Sequence, residues 1–173
     1  YLLEAYVAAA RGDAAGLVAA LEAGQRATPD EQTALWEWEL MRLLDQTGDR
    51  AGALQAVGKL IQMTPDDALV YHASALILEK EERLREAIQM ELVCLSKAPW
   101  HLDASRLLLE LLERDGQIPE AVEWANRLVD SPHMAPAREE FQRYRDRLAG
   151  LLAEIRIREL EAKFRLPISP DTI

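Results

Sequence analysis

Apolar residues recur at helical spacing along most of the chain, and short turn-forming segments separate the recurring stretches. In residues 34–46 the apolar side chains fall three or four positions apart, as on one face of a helix. Gly48 and Asp49 then favour a turn, and residues 50–63 carry a second apolar face. Prolines and acidic residues follow that face, which is typical of one helix ending and the next beginning. The same alternation predicts further helices near residues 69–80, 83–96, 102–114 and 118–130.

These paired stretches repeat with a nearly constant period. Pro65, Pro99 and Pro132 each follow a second helix, and they are separated by 34 and 33 residues. An earlier copy, residues 12–31, ends at Pro29, which lies 36 residues before Pro65 because two residues are inserted near Gln32 and Thr33. A small residue stands five places after each later turn: Ala53, Ala87 and Ala121. A period of this length indicates helical hairpins that stack on one another.

The pattern resembles the tetratricopeptide repeat family over about residues 1–135. That family places an aromatic residue early in the first helix, small residues where the two helices cross, and a proline after the second helix. The third copy fits at five of these places: Tyr71, Ala75, Ala87, Cys94 and Pro99. Two copies depart at the aromatic and small places, with Glu37 and Met41 in the second and Ser105 and Leu109 in the fourth. The resemblance implies an all-α fold, a right-handed superhelix of about four hairpins.

A long C-terminal helix is predicted after the repeats, over residues 136–165, with an apolar stripe at helical spacing. It runs to about 28 residues, roughly 40 Å, whereas one repeat helix needs about 14. We expect its first half to cap the array. Its second half carries Ile157, Leu160 and Phe164 on one face, which is interpreted either as a solvated surface or as a contact with a second copy or a neighbouring domain. The tail, residues 166–173, is expected to be extended.

Charge and composition narrow the classes of partner. Apolar residues make up 49% of the chain and charged residues 29%, which is typical of a globular protein. The net charge of −10 disfavours direct binding to nucleic acid and to anionic membranes. The acidity lies in residues 1–135, with twelve basic and 23 acidic side chains, whereas residues 136–165 have eight basic and six acidic ones. No apolar run reaches the roughly 20 residues of a membrane helix, and a cytoplasmic location is expected.

No motif for catalysis, for a cofactor or for a metal is found in the sequence, so the chain is not expected to be an enzyme. The three histidines, His72, His101 and His133, are interpreted as surface or helix-cap residues rather than as metal ligands. Cys94 is the one cysteine, which excludes an intramolecular disulfide, and it is predicted to be a buried structural thiol.

The resemblance also implies a binding surface, because the first helices of tetratricopeptide hairpins line a concave groove. By the family's register this surface is apolar and aromatic at one end and charged at the other. Its predicted members are Tyr6; Leu35, Trp38, Arg42 and Asp45; Leu69, His72, Leu76 and Glu79; and Asp103, Arg106, Glu110 and Glu113. Trp38 can be interpreted either as a ligand contact or as a core residue. The basic clamp with which one subfamily holds C-terminal carboxylates is missing at these positions.

The sequence therefore predicts a protein–protein interaction scaffold that binds a protein or peptide segment in the groove, and self-association through the C-terminal helix is a further interpretation. The alternative is a regulatory domain of a larger transcriptional or signalling protein. Residues 103–129 support that alternative, because they resemble the helical domain of bacterial transcriptional activators. This resemblance is weaker than the one to tetratricopeptide repeats.

Overall fold

The computed structural model describes residues 1–27 and 33–164 of the 173-residue chain. The predicted tail over residues 166–173, and the residues around Pro29 and Gln32, lie outside this described part. Every regular element within the described part is helical, so the all-α prediction is confirmed. The helices predicted from residue 34 to residue 130 begin and end within two residues of their expected bounds. The α-helices are α1 Leu2–Ala10, α2 Ala14–Ala27, α3 Thr33–Thr47, α4 Arg50–Met63, α5 Ala68–Lys80, α6 Leu84–Lys97, α7 Leu102–Arg114, α8 Ile118–Asp130 and α9 Arg138–Phe164.

The chain divides into two compact units, Tyr1–Leu111 and Leu112–Ile173. In the first unit, α1 packs on α2, α3 on α4, and α5 on α6, which gives three antiparallel hairpins. Neighbouring hairpins pack through α2 on α3 and through α4 on α5. Ala53 and Ala87 are fully buried, as predicted for small residues at helix crossings, because a side chain without further carbons lets two helices approach closely.

The turn between first and second helix recurs with the repeat. Gly12, Gly48 and Gly116 hold this position with φ values of +70°, +87° and +77°, and Glu82 holds it in the third copy with φ of +56°. In each turn the following amide donates to a carbonyl five residues back, as Arg83 does to Leu78 at 3.0 Å, which closes the end of the helix. Left-handed backbone costs a residue other than glycine roughly 1 kcal/mol, so the third turn is formed against a small penalty.

In the second unit, α8 packs against α9, and a 3-10 helix at Pro132–Ala137 connects them. Phe141 and Leu148 of α9 are buried. Glu113 accepts a hydrogen bond from the Tyr144 hydroxyl at 2.7 Å and ion-pairs with Arg147 at 2.5 Å. These contacts all involve the first half of α9, and the described part of the helix has no buried residue beyond Leu148.

Candidate functional site

The predicted binding positions of the first unit lie on the first helices of the hairpins, and we call them the first-helix surface: Tyr6 on α1; Leu35, Trp38, Arg42 and Asp45 on α3; Leu69, His72, Leu76 and Glu79 on α5. Direct contacts connect these helices. Arg42 Nη2 lies 2.6 Å from the Tyr6 hydroxyl, so α1 and α3 meet there, and an ion pair between Asp45 and Lys80 joins α3 to α5.

Four apolar or aromatic side chains are exposed on this surface: Tyr6 (45%), Leu35 (55%), Leu69 (53%) and Leu76 (38%). Trp38, next to them in the helical register, is only partly buried and packs against the core together with Trp36. Trp38 therefore packs on the core and still has part of its side chain in contact with solvent. Large side chains exposed on adjacent helices of a folded protein are typical of a contact surface for another molecule.

The charged groups on α3 and α5 are largely neutralised within the chain. Arg42 pairs with Glu39 at 2.7 Å, and this hydrogen bond is the main reason that the pKa of Arg42 is raised. Asp45 pairs with Lys80 as described above. An incoming segment would thus meet apolar side chains flanked by paired charges, and an isolated charge on that segment would gain little from these pairs. Within these pairs, the Asp45 Oδ1 atom is buried without a hydrogen-bond partner.

A buried carboxylate lies directly behind the surface. Glu91 of α6 is fully buried, and its Oε1 atom is 2.6 Å from Nδ1 of His72, while its Oε2 atom has no hydrogen-bond partner. Burial raises the pKa of Glu91, and the contact with His72 offsets part of that effect. Glu91 was missed by the sequence analysis. The available signal was a single acidic residue within the otherwise apolar stripe of Ile88 and Leu95.

His101 extends this cluster to the start of α7. Its ring centroid lies 4.7 Å from that of His72, and its Nδ1 atom accepts the amide hydrogen bond of Ala104 at 3.2 Å. Burial, and then the neighbouring His72, lower the pKa of His101. The sequence predicts a helix-cap or surface role for His101, and the hydrogen bond from Ala104 shows the cap.

Cys94 follows Glu91 by one turn of α6 and is fully buried, as predicted. Burial raises the pKa of its thiol to about 12, so the nucleophilic thiolate is scarce near neutral pH. A buried, protonated thiol of this kind contributes to packing rather than to chemistry.

The remaining predicted positions, Asp103, Arg106, Glu110 and Glu113, lie on α7, and the first three form an exposed row. Arg106 Nη1 is 3.2 Å from the Asp103 carboxylate one turn earlier. This row consists of charged residues, whereas the rows of α3 and α5 also carry the exposed Leu35, Leu69 and Leu76.

A second exposed apolar surface lies at the end of α9, and we call it the α9 stripe: Ile157, Leu160 and Phe164. Their exposed fractions are 55%, 54% and 74%. The three residues follow one another at intervals of three and four, which places them on one face of the helix. Arg158 and Glu154, beside the stripe, form an ion pair at 3.7 Å within the helix.

Two classes of site are not found in the part of the chain that the structure describes. No group of three or more His, Cys, Asp or Glu side chains within residues 1–27 and 33–164 is arranged to hold a metal ion. None of the described helices combines the length and apolar content that crossing a bilayer requires.

Comparison with known proteins gives the fold. No protein-family model matches the sequence, and no curated protein matches it. Among solved structures, MamA protein is similar over 98% of this chain and 96% of its own, with a TM-score of 0.62 and 16% identity. Nearly identical TPR-like repeats of a Podosopora anserina kinesin light chain match over 92% of each chain, with a TM-score of 0.59 and 17% identity. The TPR2B domain of yeast Sti1, solved in complex with pHsp70, covers 70% of this chain and is itself covered to 99%, with a TM-score of 0.57 and 17% identity.

These similarities extend over hairpins whose period, turn geometry and small buried residues were described above. The resemblance to tetratricopeptide repeats that the sequence analysis stated is confirmed at the level of the fold. The chain has the tetratricopeptide repeat fold.

Proposed function

We propose that the first-helix surface binds an apolar segment of another protein, without catalysis. The observation that carries this proposal is the exposure of Tyr6, Leu35, Leu69 and Leu76 on neighbouring first helices that contact one another. One similar solved structure, the TPR2B domain of yeast Sti1, is a complex with pHsp70, so binding of another protein is compatible with this fold.

The geometry of α5 suggests how the segment would be held. Leu69 and Leu76 are seven residues apart on one helix, which corresponds to about 10 Å along its axis. In a polyproline II segment, residues three apart lie on the same face and are separated by about 9 Å. A ligand lying along α5 would therefore place apolar side chains at positions i and i+3. The paired charges beside these leucines would contribute mainly to orientation.

Binding without catalysis is supported by the burial of the reactive groups near this surface. Glu91 and Cys94 are both fully buried, so neither presents an atom to a bound molecule. Cys94→Ser should leave ligand binding unchanged. A loss of binding in that variant, with helix content preserved by circular dichroism, would contradict the proposed role of this surface.

The direct test is a selection of random 15-residue peptides displayed on phage against the immobilised chain. Peptides enriched on the parent protein are expected to lose about fivefold or more in affinity on Leu69→Ser, because truncating an anchor residue of an interface costs about 1 kcal/mol or more. Met63→Ser is the matched control, since Met63 is 40% exposed but lies on α4, a second helix.

The selection distinguishes binding at the proposed surface from binding at any other exposed apolar surface of the chain. Enriched peptides that bind Leu69→Ser and Leu35→Ser as tightly as the parent would overturn the proposal. So would peptides that lose as much affinity on Met63→Ser as on Leu69→Ser.

A further inference from the structure

The α9 stripe matches the core positions of a coiled coil. Ala153, Ile157, Leu160 and Phe164 are exposed and follow one another at intervals of four, three and four residues. This is the d–a–d–a spacing of a heptad repeat. It puts Ile157 at an a position and Leu160 at a d position. Among parallel coiled coils, a β-branched residue at a with leucine at d favours two strands.

The charges beside the stripe distinguish between the two possible orientations. In this register Glu154 and Glu161 occupy e positions, while Arg156 and Lys163 occupy g positions. A parallel pair places each g residue near the following e residue of the other helix, so Arg156 of each chain meets Glu161 of the second copy. An antiparallel pair places e against e and g against g, which brings acid to acid and base to base.

We infer that α9 pairs through the α9 stripe with α9 of a second copy of this chain, as a short parallel coiled coil. The seam would contain three layers of large side chains, from Ile157, Leu160 and Phe164, about a two-fold axis that runs along the helices. It covers fewer than two heptads between Ala153 and Phe164, so the dimer should be weak and dependent on concentration. The inference does not depend on the proposed ligand at the first-helix surface.

Sedimentation equilibrium of the full chain, from tens of micromolar to about one millimolar, tests the pairing. A dimer fraction that rises with concentration is expected for the parent, and Leu160→Asp should abolish it. A parent that stays monomeric throughout this range would overturn the inference. Far-UV circular dichroism of each variant at low concentration verifies that the helix is retained.

Charge reversal tests the orientation. Arg156→Glu replaces two attractive interhelical pairs with two repulsive ones in a parallel dimer, so dimerisation should weaken about tenfold. In an antiparallel dimer the same change places glutamate near Lys163 and should strengthen dimerisation, which would overturn the parallel assignment. The double variant Arg156→Glu, Glu161→Arg should return to the parental affinity. Arg158→Glu is the control, because position 158 lies outside the seam in this register.

Cross-linking provides an independent measurement of the relative orientation of the two helices. In a parallel dimer the two Leu160 positions face each other, so Leu160→Cys should form a disulfide-linked dimer in a glutathione redox buffer. In an antiparallel dimer Leu160 faces Ile157 of the second copy, and the single variant should not cross-link efficiently. Failure to cross-link at concentrations where the parent is dimeric would also overturn the assignment. The native Cys94 is buried and does not compete.

Discussion

The first-helix surface and the α9 stripe expose apolar side chains to the same degree but are supported in different ways. Leu69 is 53% exposed and Leu160 is 54% exposed. Behind Leu69, α5 buries Val70, Ala75 and Ile77 in the core, whereas α9 buries none of its described residues after Leu148. The first surface is thus held in place by its own unit, and the second lies on a helix segment that has no core behind it. Equal exposure thus does not distinguish an apolar surface with a packed core behind it from one without.

The largest expected difference between the two surfaces concerns overpacking. Ala87→Trp should reduce the free energy of unfolding by more than about 3 kcal/mol, because Ala87 is completely buried between helices and overpacking alone typically costs 1–3 kcal/mol. Ala153→Trp, at an exposed position beside the α9 stripe, should change it by no more than about 0.5 kcal/mol. Urea unfolding followed by circular dichroism measures both variants, and equal losses would remove the distinction.

The same contrast should be visible within α9 alone. Leu148→Ala is expected to cost about 2–5 kcal/mol, since a fully buried leucine loses its contacts and leaves a cavity. Leu160→Ala should cost less than about 0.5 kcal/mol in dilute protein, where the stripe faces water. Unfolding at a few micromolar compares the two leucines. A cost above 1 kcal/mol for Leu160→Ala would show that the stripe is already packed within the monomer.

The third turn offers a way to strengthen the unit that carries the first-helix surface. Glu82→Gly should raise the free energy of unfolding by roughly 0.5–1 kcal/mol, because glycine adopts the left-handed backbone without the steric cost. Gly48→Ala is the reciprocal change and should cost about 1 kcal/mol, since nothing lies within 4 Å of the added carbon and only the backbone angle resists it. Thermal unfolding of the two variants should shift in opposite directions.

A smaller difference between the two surfaces is expected in how pH changes the free energy of unfolding. The first-helix surface lies beside two histidines, whereas the α9 stripe contains none. The pKa of His101 is lowered in the folded chain from the ordinary value of 6.5, so the unfolded chain binds this proton at higher pH. The His101 contribution to the free energy of unfolding therefore decreases as pH falls below about 6.5, and it levels off once the pH is below the folded-state pKa. His101→Asn retains an acceptor for the Ala104 amide and removes the titration.

Urea unfolding of the parent and of His101→Asn between pH 7 and pH 5 measures this contribution as the difference between the two proteins. The raised pKa of Glu91 acts in the opposite sense in both proteins and is largely removed by the comparison. The variant should lose less stability than the parent as the solution is acidified. A parent that loses less than the variant would contradict the assigned direction.

The helix bounds could be predicted from the sequence because helical spacing, glycine turns and prolines are local signals that agree with one another. Burial of Cys94 followed from its place in the repeat. The Glu91–His72 pair could not be predicted, since a single glutamate in an apolar stripe is equally compatible with an exposed edge, and its partner is 19 residues away on another helix. The turn at Glu82 was located correctly, yet its left-handed backbone was not expected, because a glutamate gives no local sign of that conformation.

The second and third hairpins of the first unit each contain a different buried acid. Glu37 on α3 is nearly inaccessible and pairs with Lys59 on α4 at 3.0 Å, while Glu91 on α6 pairs with His72 on α5. Across the 34-residue period, the equivalents of Lys59 and His72 in the other hairpin are Val93 and Trp38.

If two nascent or neighbouring chains exchanged helices so that α3 packed against α6, both carboxylates would be buried without a base, which typically costs several kcal/mol. Repetitive chains are prone to such exchange because their units resemble one another. The two acid–base pairs would therefore oppose such an exchange, because each carboxylate has its base only within its own hairpin.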